Sequence, residues 1–154
     1  TMGKKFEKDV VLSMPIMAFL GTVVGVKPRV APVWFIWEKE CLWMLGDKLG
    51  ASVKRITDNP ECAVEIVHFQ AAEGVLLHLG MRGKATVEYS DKARFKRLLK
   101  KYLGEDEVSW NDWFIDNVAR IEDENGRMIK LSPESVFTNN VSYFKTGPDL
   151  AWEM

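Results

Sequence analysis

Hydrophobic and polar residues alternate along most of the chain, in short runs that glycine, proline and acidic turn residues separate. β-Branched and aromatic residues dominate these runs, which is typical of β-strands. The pattern predicts strands over 16–24, 29–37, 41–46, 61–69, 75–89 and 127–131, with a last strand or sheet edge over 136–144. Gly80 and Gly83 lie inside the longest run, where we expect a bulge or a close backbone approach.

Apolar residues spaced three and four apart indicate a few helices. We expect helices over 4–15, 52–58, 92–103 and 109–120. Pro15 would end the first helix, Asp91 is a suitable N-cap for the third, and Ser109 begins a sequence that resembles a capping box for the fourth. The basic residues of the third helix are interpreted as a solvated face. Many strands with few helices predict an antiparallel barrel with helices packed outside it.

Length and charge narrow the class of protein. The chain has 154 residues, which fits a single domain over 1–154, and its formal net charge is −1, so nucleic acid is not an expected partner. No apolar stretch approaches the ~20 residues of a membrane span, and the N-terminal residues do not resemble a signal peptide. We therefore expect a cytoplasmic protein that does not bind membranes.

The residues available for catalysis are few. Both histidines, His68 and His78, lie inside strand runs, and no sequence motif of a nucleophilic or metal-dependent enzyme is present. The two cysteines, Cys41 and Cys62, form no metal-binding pattern, so we expect free, buried thiols and no metal site. A long-range catalytic triad stays open, but a protein with this inventory more plausibly takes its chemistry from a cofactor.

Four sequence features follow one another in a fixed order. They are Pro-Arg-Val-Ala-Pro-Val-Trp-Phe at 28–35, a basic loop at 47–54, Asp-Asn-Pro at 58–60, and Gly-Met-Arg-Gly-Lys-Ala at 80–85 before a helix. In this order they resemble the pyridoxamine 5′-phosphate oxidase-like, FMN-binding split-barrel family, which also has F420-dependent and haem-handling branches. The resemblance implies a mainly β fold with peripheral helices, a six-stranded antiparallel split β-barrel of Greek-key type. It also implies a homodimer with flavin sites at the interface.

The resemblance assigns roles to particular residues. Arg29 matches an arginine that opens the phosphate-contacting strand, and His78 matches a glutamine at the flavin edge. The strand along the isoalloxazine ring is matched by Ala31, Pro32, Val33 and Trp34. The pair near the flavin and its ribityl chain is matched by Met44 and Leu45. The family's Ser-Arg-Lys is replaced by Gly50, Ala51 and Ser52. Lys48 and Lys54 flank this gap, so we expect them, with the Ser52 hydroxyl, to contact the phosphate.

Each of these residues also has a structural interpretation. A solvated surface charge explains Arg29, Lys48 and Lys54 equally well. His78 can also be interpreted as a hydrogen-bonded core histidine, and Trp34 as a residue that packs in the core or at an interface. The sequence thus predicts an FMN-binding protein that acts as an oxidoreductase on a small molecule. The alternatives are binding of F420 or haem by the same fold, or a sensor or storage protein that binds a ligand without turnover.

Overall fold

The computed structural model describes residues 5–143. Seven antiparallel strands form one sheet in the order β2-β1-β5-β6-β7-β4-β3. The strands are β1 (Ala18–Val24), β2 (Lys27–Val33), β3 (Phe35–Glu38), β4 (Cys41–Asp47), β5 (Glu61–Gln70), β6 (Val75–Tyr89) and β7 (Gly126–Asn140). The helices are α1 (Asp9–Leu12), α2 (Ala51–Asp58), α3 (Lys92–Leu103) and α4 (Asp112–Arg120). The predicted mainly β fold with peripheral helices is confirmed.

One residue closes the sheet into a barrel. β2 and β3 are the two ends of the sheet order, yet only Trp34 separates them in the chain. The Trp34 carbonyl accepts a hydrogen bond from the Leu45 backbone N–H at 3.0 Å, so the chain continues from the β1 side of the sheet to the β4 side. If β2 and β3 are counted as one bent strand, the seven segments become the six strands that were expected.

The barrel interior is filled by alternate residues of the strands. Leu20 of β1, Ile66 of β5 and Leu79 of β6 have no exposed surface, while their neighbours along each strand face outward. The helices α1 and α2 add buried apolar side chains to the same core, among them Val11, Leu12, Val53 and Ile56. Burial of this apolar surface is the main favourable term for the fold.

A second apolar cluster lies on the outside of the barrel, where α3 and α4 cover β3 and β4. Phe95 and Leu98 of α3 and Trp110 before α4 pack with Trp43 of β4 and Met128 of β7. The outer faces of β1, β5 and β6 have no such cover and expose large apolar side chains. None of the described helices is long and apolar enough to cross a bilayer; the longest, α3, has 12 residues.

The predicted first helix is wrong in length. Within the described residues it is α-helical only over Asp9–Leu12. The backbone N–H of Phe6 instead donates to the Thr138 hydroxyl of β7 at 3.1 Å, which keeps the segment before α1 out of the helix. The apolar residues that pack on the barrel therefore lie partly in the short helix α1 and partly in the non-helical segment before it.

Two further boundaries differ from the expected ones. The N-cap of α4 is Asn111, whose side chain accepts from the Trp113 N–H at 2.9 Å, whereas Ser109 lies in a preceding 3-10 turn. β7 is continuous through Pro133, where two separate strands were expected. The irregularity there is a register shift that leaves Glu134 of β7 unpaired opposite Arg82 and Gly83. Of the two features predicted for Gly83, the close backbone approach is confirmed, since a Cβ there would come within 3.1 Å of the β7 backbone.

The cysteines and the basic face of α3 complete the comparison. Cys41 and Cys62 are free thiols, but the predicted burial is wrong for Cys41, which is half-buried. Cys62 is buried, and burial raises its pKa to about 11. The prediction of a solvated basic face on α3 is wrong for Arg94, whose guanidinium lies 3.6 Å from the ring centroid of Trp43 and bonds to Glu38. Arg97, on the same helix, is the largest cause of the lowered Glu38 pKa, through its side-chain hydrogen bonds. Through the bonds to Glu38 and the contact with Trp43, these basic residues join α3 to β3 and β4.

Candidate functional site

A cavity lies where the barrel closes, between α3, α4 and the end of β4. Its volume is about 860 Å³, within the ~300–1,000 Å³ of small-molecule pockets. Trp34 and Leu45, both predicted to contact a cofactor, line it together with Phe95, Leu99 and Phe114. The polar part of the lining comes from Asp47, Asn117, Arg120, Asp123, Glu124 and Asn125. We refer to this cavity as the closure pocket.

Stacked aromatic rings form one wall of the closure pocket. The Trp34 ring stacks on Tyr102 with 4.4 Å between centroids, and on Phe114 with 5.9 Å. The Tyr102 hydroxyl donates to the Ile16 carbonyl at 2.7 Å and accepts from the Phe35 N–H at 3.1 Å. Burial raises the pKa of Tyr102 to about 12, so this phenol stays protonated at neutral pH. The wall is therefore held in place by both packing and hydrogen bonds.

A buried amine lies beside this wall. The Lys101 Nζ atom donates to the Phe35 carbonyl at 3.0 Å and lies 3.3 Å from the Phe35 ring centroid. Burial lowers the pKa of Lys101 to about 7. Lys101 is thus a second residue of α3 for which the predicted solvated position is wrong.

The rim of the closure pocket is acidic. Asp47, Asp123 and Glu124 outnumber the single lining cation, Arg120. Lys48, predicted to contact phosphate, pairs with Glu124 at 3.7 Å, which is an exposed and therefore weak ion pair. The Asp47 carboxylate accepts from the Leu49 N–H at 2.8 Å and so shapes the loop before α2.

A different group of polar residues connects α2 to β1. The Arg55 Nε–H donates to the buried Thr22 hydroxyl at 2.8 Å, and another guanidinium nitrogen of Arg55 donates to the Ser52 hydroxyl at 3.3 Å. Lys54 lines a shallow 320 Å³ cavity with Arg55 and the β1–β2 turn. Among residues 5–143 no carboxylate pairs with Arg55, so a half-buried cation is balanced only by hydroxyl groups. Arg55 was not predicted from the sequence, although its position beside Lys54 in the predicted short helix indicated a second cation.

The predicted residues of β2 lie on a strand at one end of the sheet. Arg29 is exposed; its guanidinium donates to the neighbouring Pro28 carbonyl at 2.9 Å, and its Cα is the register partner of Thr22. Ala31 and Val33 are half-buried and Pro32 is exposed. The Met44 side chain has no exposed surface and belongs to the barrel core, so only its backbone is available to a ligand.

His78 lies on the uncovered outer face of β6 and not in the closure pocket. Its Nδ1 atom lies 3.3 Å from a carboxylate oxygen of Glu65 on β5, and its ring meets Phe137 of β7 edge-on with 5.8 Å between centroids. One subunit thus brings Trp34 and Leu45 together, with Lys48 at the rim, but leaves His78 on a separate surface. The sequence analysis also missed Asn117 and Arg120, which α4 brings to the pocket.

Comparison with known proteins identifies the fold. No protein-family model matches the chain, and a search of curated proteins found no significant relative. Among solved structures, general stress protein 26 of Bacillus anthracis superposes with a TM-score of 0.62 at 20% identity, covering 87% of this chain and 94% of its own. A protein named F420 reductase matches with TM-score 0.62 and 20% identity over 83% and 94%. A flavocytochrome from Azotobacter vinelandii matches with TM-score 0.64 and 13% identity over 90% and 69%.

The chain has the fold of the pyridoxamine 5′-phosphate oxidase-like split-barrel proteins. In this split barrel, the closure pocket has the apolar, aromatic lining that a planar tricyclic ring needs. Its acidic rim does not suit a phosphate dianion, because like charges repel in a partly desolvated site. The cations that suit a phosphate are Arg55 and Lys54 on α2. The residues present therefore fit the ring of a flavin in the closure pocket, whereas the cations that would suit its phosphate line a separate cavity beside α2.

Proposed function

We propose that this protein binds FMN and acts as an oxidoreductase on a small molecule. The observation that carries the proposal is the closure pocket, since Trp34 and Leu45 line it at the point where a split barrel closes. Trp34, Leu45 and Phe114 would hold the ring, with Ala31, Pro32 and Val33 along the neighbouring strand. A bound flavin supplies hydride chemistry that the side chains of this chain do not.

The phosphate end of the cofactor is assigned to α2. Arg55 presents a guanidinium that only hydroxyl groups balance, and Thr22 and Ser52 keep their own O–H donors for an anion. Arg29 and Lys54 add positive charge on the same side, while Asp58 is the one carboxylate lining the adjacent cavity. This assignment keeps Arg29, Ser52 and Lys54 from the sequence prediction and adds Arg55, whereas the Lys48 amine pairs with Glu124.

We further propose that the protein works as a homodimer. The uncovered outer face exposes 42% of Phe19, 70% of Val30, 53% of Phe69 and 39% of Phe137. Several large apolar side chains exposed on one face of a sheet are typical of interfaces. One subunit keeps His78 apart from the closure pocket, so a contact between His78 and a flavin in that pocket would have to come from a second copy.

A cofactor titration tests the proposal. The purified protein is examined for bound chromophore by its visible absorption spectrum, and then titrated with FMN, F420 and haemin while ligand fluorescence and absorbance are followed. The proposal predicts micromolar or tighter binding of FMN, with quenching of its fluorescence by the stacked aromatic wall. Absence of any flavin signal at micromolar concentrations contradicts it, and preferential binding of F420 or haem replaces FMN with that cofactor.

Turnover is tested separately from binding. Stopped-flow reduction of the bound flavin by NADH and NADPH distinguishes an oxidoreductase from a sensor or storage protein, because a sensor binds flavin but shows no reduction above the free-flavin rate.

A cytoplasmic location, proposed from the sequence, agrees with the free thiols of Cys41 and Cys62.

A further inference from the structure

The acidic end of the closure pocket has no counterpart in the proposed cofactor. Asp47 at the end of β4, and Asp123 and Glu124 in the loop between α4 and β7, bring their carboxylates to the lining. The isoalloxazine ring assigned to the aromatic wall is uncharged when oxidised, and a phosphate group would be repelled here. These carboxylates are therefore left for a second molecule in the same pocket.

Only part of this negative charge is balanced among the described residues. Glu124 forms an exposed ion pair with Lys48 at 3.7 Å. Arg120, the one cation of the lining, donates from its Nε–H to a backbone carbonyl of α4 at 3.4 Å and joins no carboxylate in the described part of the chain. Asp47 and Asp123 therefore have no cationic partner there.

Backbone hydrogen bonds hold the acidic end in position. The Lys48 N–H donates to the Asn125 carbonyl at 2.9 Å, and the Gly126 N–H donates to the Asp123 carbonyl at 3.1 Å. A Cβ atom at Gly126 would come within 1.7 Å of the Ile121 carbonyl oxygen, so this turn requires glycine. The carboxylates are thus carried by a backbone that is ordered before a ligand arrives, which lowers the entropy cost of binding.

A buried hydroxyl at the same end also lacks a partner. Ser90 is 6% exposed, and its Oγ atom has no hydrogen-bond partner among the described residues. The Oγ atom lies 3.2 Å from the position that a Cβ atom of Gly126 would take, and Gly126 lines the pocket. Because buried polar atoms are nearly always hydrogen-bonded, this hydroxyl independently indicates a polar group of another molecule at the acidic end.

We propose that the closure pocket binds an organic cation, a flat ring with an ammonium group, whose charge is held by the carboxylates of Asp47 and Asp123. The ring has an aromatic surface to pack on, since Trp113 lines the pocket, is 64% exposed and meets Phe114 edge-on at 5.1 Å. Aromatic faces attract cations, and carboxylates accept the N–H bonds of an ammonium group. The inference deepens the proposed function and rests on it, because it names the substrate class of the same pocket.

Three ligands with the same indole ring test the charge preference without any flavin. Tryptamine is a cation at neutral pH, tryptophol is neutral and indole-3-acetate is an anion. Isothermal titration calorimetry should show that tryptamine binds about fivefold more tightly than tryptophol, equivalent to ~1 kcal/mol for an exposed ion pair. Indole-3-acetate should bind most weakly, and added salt should reduce all of these differences.

Substitutions assign the preference to the acidic end. Asp47→Asn and Asp123→Asn should each weaken tryptamine binding and leave tryptophol binding unchanged. An asparagine amide oxygen still accepts from the Leu49 N–H, so Asp47→Asn preserves the loop before α2. Asp116→Asn is the matched control, because it makes the same change in net charge on α4 at a residue outside the pocket lining. It should leave the affinities for all three ligands unchanged.

The outcomes separate failure of this inference from failure of the proposed function. Equal affinities for the three ligands, or equal losses of tryptamine affinity in Asp116→Asn and Asp123→Asn, overturn the inference even if FMN binds. Where FMN binds, tryptamine should bind beside it, and mutual exclusion of the two overturns the assignment to a substrate. If FMN does not bind but tryptamine is preferred, the proposed function fails and the cation site stands.

Discussion

The indole ring of Trp34 stacks on the phenol ring of Tyr102, with 4.4 Å between their centroids. Trp34 is the residue that separates β2 from β3, and Tyr102 is near the end of α3. The stack therefore joins the closure of the barrel to the helix that covers it. Because the Tyr102 hydroxyl also bonds to backbone groups of Ile16 and Phe35, the same side chain supports both the fold and the pocket wall.

Tyr102→Phe is expected to destabilise the protein. The substitution keeps the stack but leaves the Ile16 carbonyl and the Phe35 N–H without their partner, which should lower the free energy of unfolding by about 1–3 kcal/mol. Urea unfolding measures the change. Tyr89→Phe is the matched control, since Tyr89 is 75% exposed, and should change stability by less than ~0.5 kcal/mol. Equal effects of the two substitutions would show that the Tyr102 hydroxyl contributes nothing.

Lys101→Met is expected to change how stability depends on pH. In the folded protein the pKa of Lys101 is lowered to about 7 by burial, whereas in the unfolded chain it is ~10.4. Between these values the unfolded chain binds a proton that the folded protein does not, so this lysine makes the wild type more stable as pH rises. Below the folded pKa both states are protonated and the cost of burying the charge is largest.

Stability of the wild type relative to Lys101→Met should therefore increase as pH rises from about 7 to ~10.4. Urea unfolding at several pH values across this window measures the difference, and comparison at each pH removes the contribution of the other titrating groups. A difference that is constant across the window would contradict the assigned burial of Lys101.

The strands were predictable because alternation is a local signal, whereas the closure of the barrel was not. The sequence predicts one strand over 29–37, but not its division at Trp34 into β2, which pairs with β1, and β3, which pairs with β4. The break expected before Val136 shows the same limit. Ser132 and Pro133 are turn formers by local preference, but Gly83 has no side chain and lets the β7 backbone approach closely, so the strand continues through a bulge.

Of the residues that line the closure pocket, the family resemblance named Trp34 and Leu45. Trp34 and Leu45 are separated by 11 positions in the sequence and both line the closure pocket. Arg120 and Asn117 reach it from a helix more than 70 positions away, and no local pattern distinguishes them from surface residues. Lys101 was wrongly predicted to be solvated because it belongs to the polar face of the helical pattern. In the structure its amine lies against the Phe35 ring.

Arg55→Met is expected to weaken binding of FMN while leaving riboflavin binding almost unchanged. The two ligands share the ring and ribityl chain and differ by the phosphate, and a charge-assisted hydrogen bond contributes ~1.5–3 kcal/mol, about tenfold or more in affinity. Fluorescence titrations with both ligands measure the ratio. Lys84→Met is the control, since the Lys84 amine on β6 forms an exposed ion pair with Glu61 of β5 at 3.8 Å. Equal losses for FMN and riboflavin would place the phosphate elsewhere.

Val30→Asp is expected to dissociate the proposed homodimer. Val30 is 70% exposed on the uncovered face, so a carboxylate there would lose its hydration in a dimer, which is costly. The monomer should keep its fold, because the position is solvated in a single subunit. Val26→Asp is the matched control, since Val26 is 94% exposed in the β1–β2 turn. Sedimentation equilibrium should give a dimer mass for the wild type and Val26→Asp and a smaller mass for Val30→Asp. A dimer that persists after Val30→Asp would contradict this face as the interface. In that case the second copy's His78 could not be assigned to the flavin site through this face.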